Sequence, residues 1–302
     1  MSPVRHDPLT GEPVLLAPAR AGRPHDSREQ PRADGCPFCE GAEDQTPPET
    51  LALRPGGGPP DGPGWLVRAF PNKFPALAPD EGVHEVVVST PRHVIAFADL
   101  TDEEAARAAG AWWARLRAVS EDPRALWPFL FLNQGADAGA SLQHSHAQIV
   151  GLPFAPPRLI AHERAFDHAA ACPVCVDLAA AGARCVAEAD GLAAWYPEVP
   201  PLSGVVRIAP IVHAPEWADA SVAESAGRLL RDLLGRVCRA FGAQALNLWL
   251  HERRPGGSDR FHWHLDAVPR LGTLAGLELG AGVVAVLQAP EDAAERLRAA
   301  GP

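Results

Sequence analysis

The apolar positions of this chain fall into two patterns, each of which recurs. Short runs rich in β-branched and aromatic residues, bounded by Gly, Pro or polar clusters, read as strands. In the first half these are 84–90 (HEVVVST, between Gly82 and Pro91), 129–135 (FLFLNQG) and 148–154 (QIVGLPF). In the second half they are 204–217 (GVVRIAPIVHAPEW), 245–253 (ALNLWLHER) and 261–270 (FHWHLDAVPR). Two longer stretches carry apolar residues at helical spacing. The first, 101–121, opens on Thr101 with Glu104 three residues on, the pattern of a capping box; the second is the amphipathic stretch 221–242. Residues 20–64 are rich in Pro, Gly and charge and read mostly as loops.

These elements come twice in the same order: a Cys-x-x-Cys, a strand with a His, a long helix, a strand, then a His-x-His. The first set is Cys36, Cys39, His93, His144 and His146; the second is Cys172, Cys175, His213, His262 and His264. His93 and His144 are 51 residues apart, His213 and His262 49. Recurrence of four element types in one order predicts an α+β fold made of a duplicated unit, with antiparallel sheets and helices packed on one face. The pattern breaks at LPFAPPR, which divides the chain into units 1–155 and 156–302.

Composition narrows the classes. With 302 residues and 47% hydrophobic content the chain can bury a sizeable core. A formal net charge of −10 argues against coating nucleic acid or an anionic membrane. No apolar run approaches the ~18 residues of a membrane span, and the opening MSPVRHDPLTGEPV has no apolar signal core, so a cytoplasmic protein is expected. In a reducing compartment, paired cysteines read as metal ligands or redox motifs rather than disulfides. Cys185 and Cys238 stand alone and read as small apolar residues.

A tetrahedral Zn²⁺ takes thiolate and imidazole ligands, and a Cys-x-x-Cys turn can put both sulfurs on one ion. Cys36, Cys39, His93 and His144 would form one closed structural site; Cys172, Cys175 and His213 with His262, or with His264 in its place, would form a second. The rival is a redox dithiol, but the first pair sits in DGCPFCEG, a loop. In an extended segment residues i and i+2 share a face. If His144 faces the zinc, His146 is a second imidazole beside it, and a neutral imidazole nitrogen can attack phosphorus. Gln148 lies on the same face with an amide to offer a phosphoryl oxygen, and the loop 135–141 (GADAGAS) brings Ser141 close. The plain alternative is that both histidines bind metal or only pack.

The stretch from Asn133 to Gln148 (NQGADAGASLQHSHAQ) resembles the active-site stretch of the galactose-1-phosphate uridylyltransferase family, a two-unit branch of the histidine-triad superfamily that includes ADP-glucose phosphorylases. Every fixed position of the family pattern N-x-G-x-x-x-G-x-S-x-x-H-x-H-x-Q is filled. The resemblance extends over nearly the whole chain: RHDPLTG from Arg5, Arg20 and Arg23 before Pro24, FPNKFPA from Phe70, STPRH ending on His93, and AGLELGAG around Glu278. It implies that His146 is the nucleophile toward the α-phosphorus of a nucleotide sugar and that Gln148 holds the transferred phosphoryl group. It implies substrate contacts from Arg20, Arg23, Asn72, Asn133, Ser141 and Glu278, and two zinc sites.

The implied reaction moves a nucleoside monophosphate, UMP first among the candidates, between sugar 1-phosphates through a nucleotidyl-histidine, with a nucleotide sugar and a sugar 1-phosphate as partners and a homodimer as a compatible assembly. Where galactose enzymes of the family carry Lys-Phe-x-x-Gly-Tyr-Glu, this chain has 273–278 (TLAGLE), keeping Glu278 without the lysine and tyrosine. Phosphorolysis of a nucleotide sugar, as in the ADP-glucose phosphorylase branch, is compatible with the same nucleophile. That branch carries a second zinc where others have a His/Glu site; Glu163 lies near the position of the acidic ligand. A hydrolase of the histidine-triad kind usually has a third histidine where Gln148 stands. A zinc-stabilised nucleotide-binding protein without turnover is the remaining class.

Overall fold

The structure, a computed structural model, describes residues 4–17 and 35–301. The short pair β1 (Val4–His6) and β2 (Pro13–Leu15) stands apart from the main sheet. The first half then contributes β3 (Leu51–Leu53), β4 (Val67–Pro71), β5 (Val83–Val88), helix α1 (Asp102–Ser120), β6 (Trp127–Gln134) and β7 (His146–Leu152). After α2 (Pro157–His168) and α3 (Pro173–Ala179) the second half contributes β8 (Cys185–Ala189), β9 (Leu192–Trp195), β10 (Val206–Pro210), α4 (Ala220–Phe241), β11 (Leu246–His251) and β12 (His264–Pro269). Two short helices, α5 (Gly276–Ala281) and α6 (Pro290–Ala299), close the chain.

Ten strands make one antiparallel sheet in the order β3-β4-β5-β7-β6-β11-β12-β10-β9-β8. Read from either edge to the middle, the two halves have the same topology, and they meet where β6 pairs with β11, Asn133 opposite Asn247. The duplicated α+β unit expected from the repeat is therefore present, fused into a single sheet.

Side-chain alternation along each strand divides the sheet into two faces. Val67, Ala69, Val87, Leu130, Leu132, Ala147 and Ile149 from the first half and Ile208, Leu246, Leu248, Leu265 and Ala267 from the second enter one core with α1 and α4. The helices form where expected. Thr101 and Glu104 close a capping box on α1, and the Asp219 side chain caps α4, which ends on left-handed Gly242. The helices approach closely at Gly227, where a Cβ would sit 2.5 Å from the Ala105 carbonyl oxygen. The other face carries two smaller apolar clusters, one around Phe38, Trp65, Phe70, Val86 and Val88, the other around Phe166, Val174, Trp195 and Phe261. Each underlies one Cys-x-x-Cys.

The expected strand over 204–217 is shorter: it stops at Pro210, and His213 follows in a loop. The described part of the segment 20–64, residues 35–64, is mostly loop as expected and contains the short strand β3. Among the described residues no helix is long and apolar enough to cross a membrane.

Candidate active site

The loop between β6 and β7 carries the motif. Gly135 (φ 80°) approaches Ala245 so closely that a Cβ would lie 2.9 Å from the alanine Cβ, and Gly139 (φ 83°) closes the turn in a conformation that side-chain-bearing residues rarely adopt. The end of the loop is pinned: Ser145 N–H donates to the Val94 carbonyl at 2.6 Å, and Ser89 N–H donates to the Ser145 carbonyl at 3.0 Å. From there β7 runs with Ala147 and Ile149 in the helix-side core and His146 and Gln148 on the opposite face.

His144 lies just before the strand, 2% exposed. Its Nε2–H donates to the Thr90 carbonyl at 2.9 Å, which puts the ring's lone pair on Nδ1. Nδ1 sits 3.5 Å from Cys36 Sγ and 3.7 Å from Cys39 Sγ, and His93 Nδ1 is 3.4 Å from Cys39 Sγ. Zinc bonds of 2.3 Å to sulfur and 2.0–2.1 Å to nitrogen imply an S···N edge of about 3.6 Å in a tetrahedron, so the spacing fits. Burial holds the His144 imidazole neutral, its pKa pushed down to about 4. Burial, then the neighbouring Cys36, pushes the Cys39 thiol up to about 12; a cation between the sulfurs would reverse that preference.

The second cluster repeats this arrangement. His262 Nε2–H donates to the Pro210 carbonyl at 3.1 Å, and its Nδ1 lies 3.5 Å from Cys172 Sγ and 3.2 Å from Cys175 Sγ. His213 Nε2–H donates to the Asp259 carbonyl at 3.0 Å, with Nδ1 3.7 Å from Cys175 Sγ. Ligand atoms within 4.8 Å of one another thus come together in two sets, Cys36, Cys39, His93, His144 and Cys172, Cys175, His213, His262; either could hold a metal ion. Of the two histidines left open for the second set, the fold brings His262 to the sulfurs.

His146 opens β7. Its Nδ1–H donates to the His144 carbonyl at 2.7 Å, so the lone pair resides on Nε2. The ring packs edge-on to Phe38, centroids 5.1 Å apart. It borders a cavity of about 280 Å³ whose walls include Phe38, Phe70, Asn72, Phe74, Ser141 and Gln148. Phe70 is held by Arg68, whose guanidinium carbon lies 4.9 Å from the ring centre and which is buried against Glu49 and Asp61.

The other expected substrate residues divide. Asn72, Ser141, His146 and Gln148 share this cavity. Asn133 lies at the β6–β11 seam, where its Oδ1 accepts from Asn247 Nδ2 at 2.8 Å. Glu278 caps α5 through Ala275 N–H and borders a separate surface cavity of about 210 Å³ with Ser203 and Leu274. Arg20 and Arg23 lie outside the described residues. Glu163 pairs with Arg254 at 3.0 Å and joins neither cysteine cluster.

Three further histidines, His84, His162 and His251, were not singled out by the sequence. His84, on β5, is 7% exposed and contacts Gln148. In the second half His264, His251 and His162 form a third group of ligand-type atoms within 4.8 Å. The signal for His84 was its parity with Val86 and Val88, which puts it on the open face; a lone strand histidine gives no other.

Fold and site together define a duplicated α+β protein with two Cys₂His₂ clusters and an imidazole, that of His146, on the wall of the cavity beside the first of them. Comparison with known proteins makes this specific. Residues 68–156 match the model of the galactose-1-phosphate uridyl transferase N-terminal domain. The chain is 28% identical to ADP-glucose phosphorylase of Arabidopsis thaliana, over 98% of this chain and 92% of that protein. It is 32% identical to galactose-1-phosphate uridylyltransferase of Streptomyces lividans, over 80% of this chain and 66% of that protein. A solved uridylyltransferase structure superimposes with a TM-score of 0.80 at 27% identity, covering 98% of this chain and 97% of that one. The chain belongs to the galactose-1-phosphate uridylyltransferase family.

Proposed function

We propose that this chain is a nucleotidyltransferase that moves a nucleoside monophosphate, UMP first, from a nucleotide sugar to a sugar 1-phosphate through a covalent intermediate on His146. One observation carries the assignment: the His144 carbonyl holds the proton of His146 on Nδ1, so the lone pair on Nε2 belongs to the only motif imidazole that borders the cavity among the described residues. In the first step Nε2 attacks the α-phosphorus, the bond from phosphorus to the bridging oxygen breaks, and sugar 1-phosphate leaves with that oxygen. In the second step a phosphate oxygen of the acceptor attacks the same phosphorus and the electron pair returns to Nε2. Gln148 and Ser141 stabilise the phosphoryl oxygens, Arg20 and Arg23 add positive charge, and Asn72 and Asn133 contact or shape the nucleotide site. Division into two displacements spares the site from holding two anions at once.

Both cysteine clusters hold zinc in this reading, closed by four protein ligands and hence structural. The units are 1–155 and 156–302, β7 ending at Leu152 and α2 beginning at Pro157. The protein works in the cytoplasm. A homodimer would cover the exposed Leu277, Leu279 and Leu287 and give Glu278 a sugar to contact on a second copy.

A second reading, phosphorolysis of ADP-glucose with inorganic phosphate as acceptor, is favoured by the second Cys-x-x-Cys cluster. One experiment serves both. UDP-glucose and ADP-glucose, each labelled on the α-phosphate, are incubated with the enzyme, which is then quenched and mapped. Label on His146 from either donor is expected, and the donor that labels faster names the base; no label on the parent enzyme, or equal label on His146→Gly, overturns the assignment.

A further inference from the structure

Gln148, in the proposed role of holding the phosphoryl group on which this inference rests, has to be aimed. A glutamine amide has a donor end and an acceptor end of nearly the same shape. Only the donor end stabilises a phosphoryl oxygen; the carbonyl end repels it. Something has to decide which end faces the cavity.

His84 lies on β5, the neighbour of β7 in the sheet, and its Nε2 is 2.9 Å from Gln148 Oε1. The tautomer of His84 is set from the other side of the ring: Ala76 N–H donates to Nδ1 at 2.9 Å. A backbone N–H has no acceptor role, so Nδ1 carries the lone pair and Nε2 carries the proton. His84 is therefore a donor to Gln148 Oε1. Asn72 reinforces this. Phe74 N–H donates to Asn72 Oδ1 at 2.8 Å, which turns the Asn72 Nδ2 donor toward Gln148 Oε1, 3.4 Å away. His84 Nε2 and Asn72 Nδ2 lie 3.2 Å apart, two donors converging on one carbonyl oxygen.

We propose that His84 is a positioning residue for nucleotidyl transfer: with its Nδ1 held by the Ala76 N–H, it donates from Nε2 to Gln148 Oε1 and so fixes the Gln148 amide with its NH₂ toward the phosphoryl group at His146. The segment 72–76 takes part twice, lining the nucleotide cavity through Asn72 and Phe74 and setting the tautomer of His84 through Ala76. Binding of the nucleotide is thereby tied to the polarity of a side chain on a different strand.

The test compares side chains of similar size that differ in what they can donate. His84→Gln keeps an N–H near the position of Nε2; His84→Met keeps the bulk and loses the donor. With α-phosphate-labelled UDP-glucose and ADP-glucose, single-turnover labelling of His146 should slow about tenfold in His84→Met, as expected for one lost hydrogen bond and a misaimed amide. It should stay within about threefold of the parent in His84→Gln. Thermal midpoint and zinc content are measured on each variant, and if His84→Met does not fold, His84→Glu, matching Gln in shape but accepting only, takes its place. In a Gln148→Ala background the loss of the His84 donor should cost nothing further. Equal slowing in the Gln and Met variants, or a loss that adds in full to that of Gln148→Ala, overturns the proposal. A slow Gln148→Ala beside a His84→Met of parent rate overturns the role of His84 alone. Gln148→Ala labelling at the parent rate removes the underlying reading of Gln148 and this inference with it.

Discussion

The open face of the sheet carries the same device at two places, with different surroundings. In the first half His146 donates Nδ1–H to the carbonyl two residues back; in the second, His264 does the same to His262 at 3.0 Å. Two residues further along each strand comes a polar side chain on the same face, Gln148 in one and Asp266 in the other. Around His146 the fold leaves a cavity of about 280 Å³. Around His264 the space is filled: His251 and His162 pack against it, Phe261 stacks on it at 6.3 Å, and Asp266 is locked to Arg207 by two hydrogen bonds of 2.7 and 2.9 Å. Burial pushes the His264 imidazole down to about 3. The backbone thus sets the same imidazole tautomer in both halves, and access, with the neutral amide in place of the carboxylate, separates an open imidazole from a packed one.

Removing the two imidazoles in turn should have unlike consequences. His146→Ala should lose covalent labelling and turnover on the order of 10³-fold or more while keeping both metals. His264→Ala should keep turnover within about threefold and lose about 2 kcal/mol of stability in urea unfolding, because it leaves a hole in a filled region. Loss of turnover in a folded His264→Ala would end the distinction between the halves.

The next largest effects concern the two Cys₂His₂ clusters. Zinc analysis should give two ions per chain in the parent and one in either His144→Ala or His262→Ala, each with a thermal midpoint lower by about 10 °C. The variants should differ in chemistry: His144→Ala also releases the segment whose carbonyl holds the His146 proton, whereas His262→Ala should still label His146 below its own melting range.

Both clusters and the imidazole that borders the cavity were legible in the sequence, because Cys-x-x-Cys and His-x-His tie chemistry to fixed local spacing and the repeat order brings their partners in sequence-distant pairs. α1 and α4 were legible for a related reason, since caps and helical periodicity are local. Less local features were not. β9 is nearly featureless (LAAW), buried on both faces, so its small residues carry no alternation. α3 starts on Pro173 inside a Cys-x-x-Cys that reads equally as a turn, with Cys172 as its cap. Asn133 fits the family pattern and yet pairs with Asn247 across the seam, a contact 114 residues away in sequence. The partnership of His84 with Gln148 depends on strand register, which the sequence of one strand cannot supply.

A smaller effect tests the filling of the second site. Asp266→Asn leaves the partly buried Arg207 without its charge partner, and the unfolding free energy should fall by about 2 kcal/mol at pH 7. Arg207 holds the Asp266 carboxyl well below the usual carboxylate range despite its burial. A depressed carboxyl contributes stability above its unfolded pKa near 3.8 and loses it as pH falls toward the folded value, so the difference between parent and variant should shrink only in strong acid.

The smallest effect lies between pH 5 and 7. Burial pushes His251 well below its ordinary value of 6.5, with His264, Asp266, His162 and Arg207 facing it. The unfolded chain then takes up the proton first, so this contribution is complete above pH 6.5 and is lost as pH falls, at up to about 1.4 kcal/mol per unit for one group. Urea midpoints measured from pH 7 to 5.5 should decline less steeply in His251→Phe than in the parent; parallel curves would mean that His251 titrates freely.

The seam between β6 and β11 has a consequence for how such a chain can be divided. Cutting it between Leu152 and Pro157 would sever only a connection, yet each fragment would expose along its innermost strand a row of backbone donors and acceptors that its sister now satisfies. Expressed alone, a fragment would be adhesive along that rim and prone to pair with copies of itself; expressed together, the two should recombine as a heterodimer. The loop that joins the halves therefore acts as a tether, ensuring that the correct strand is the first neighbour each exposed rim meets.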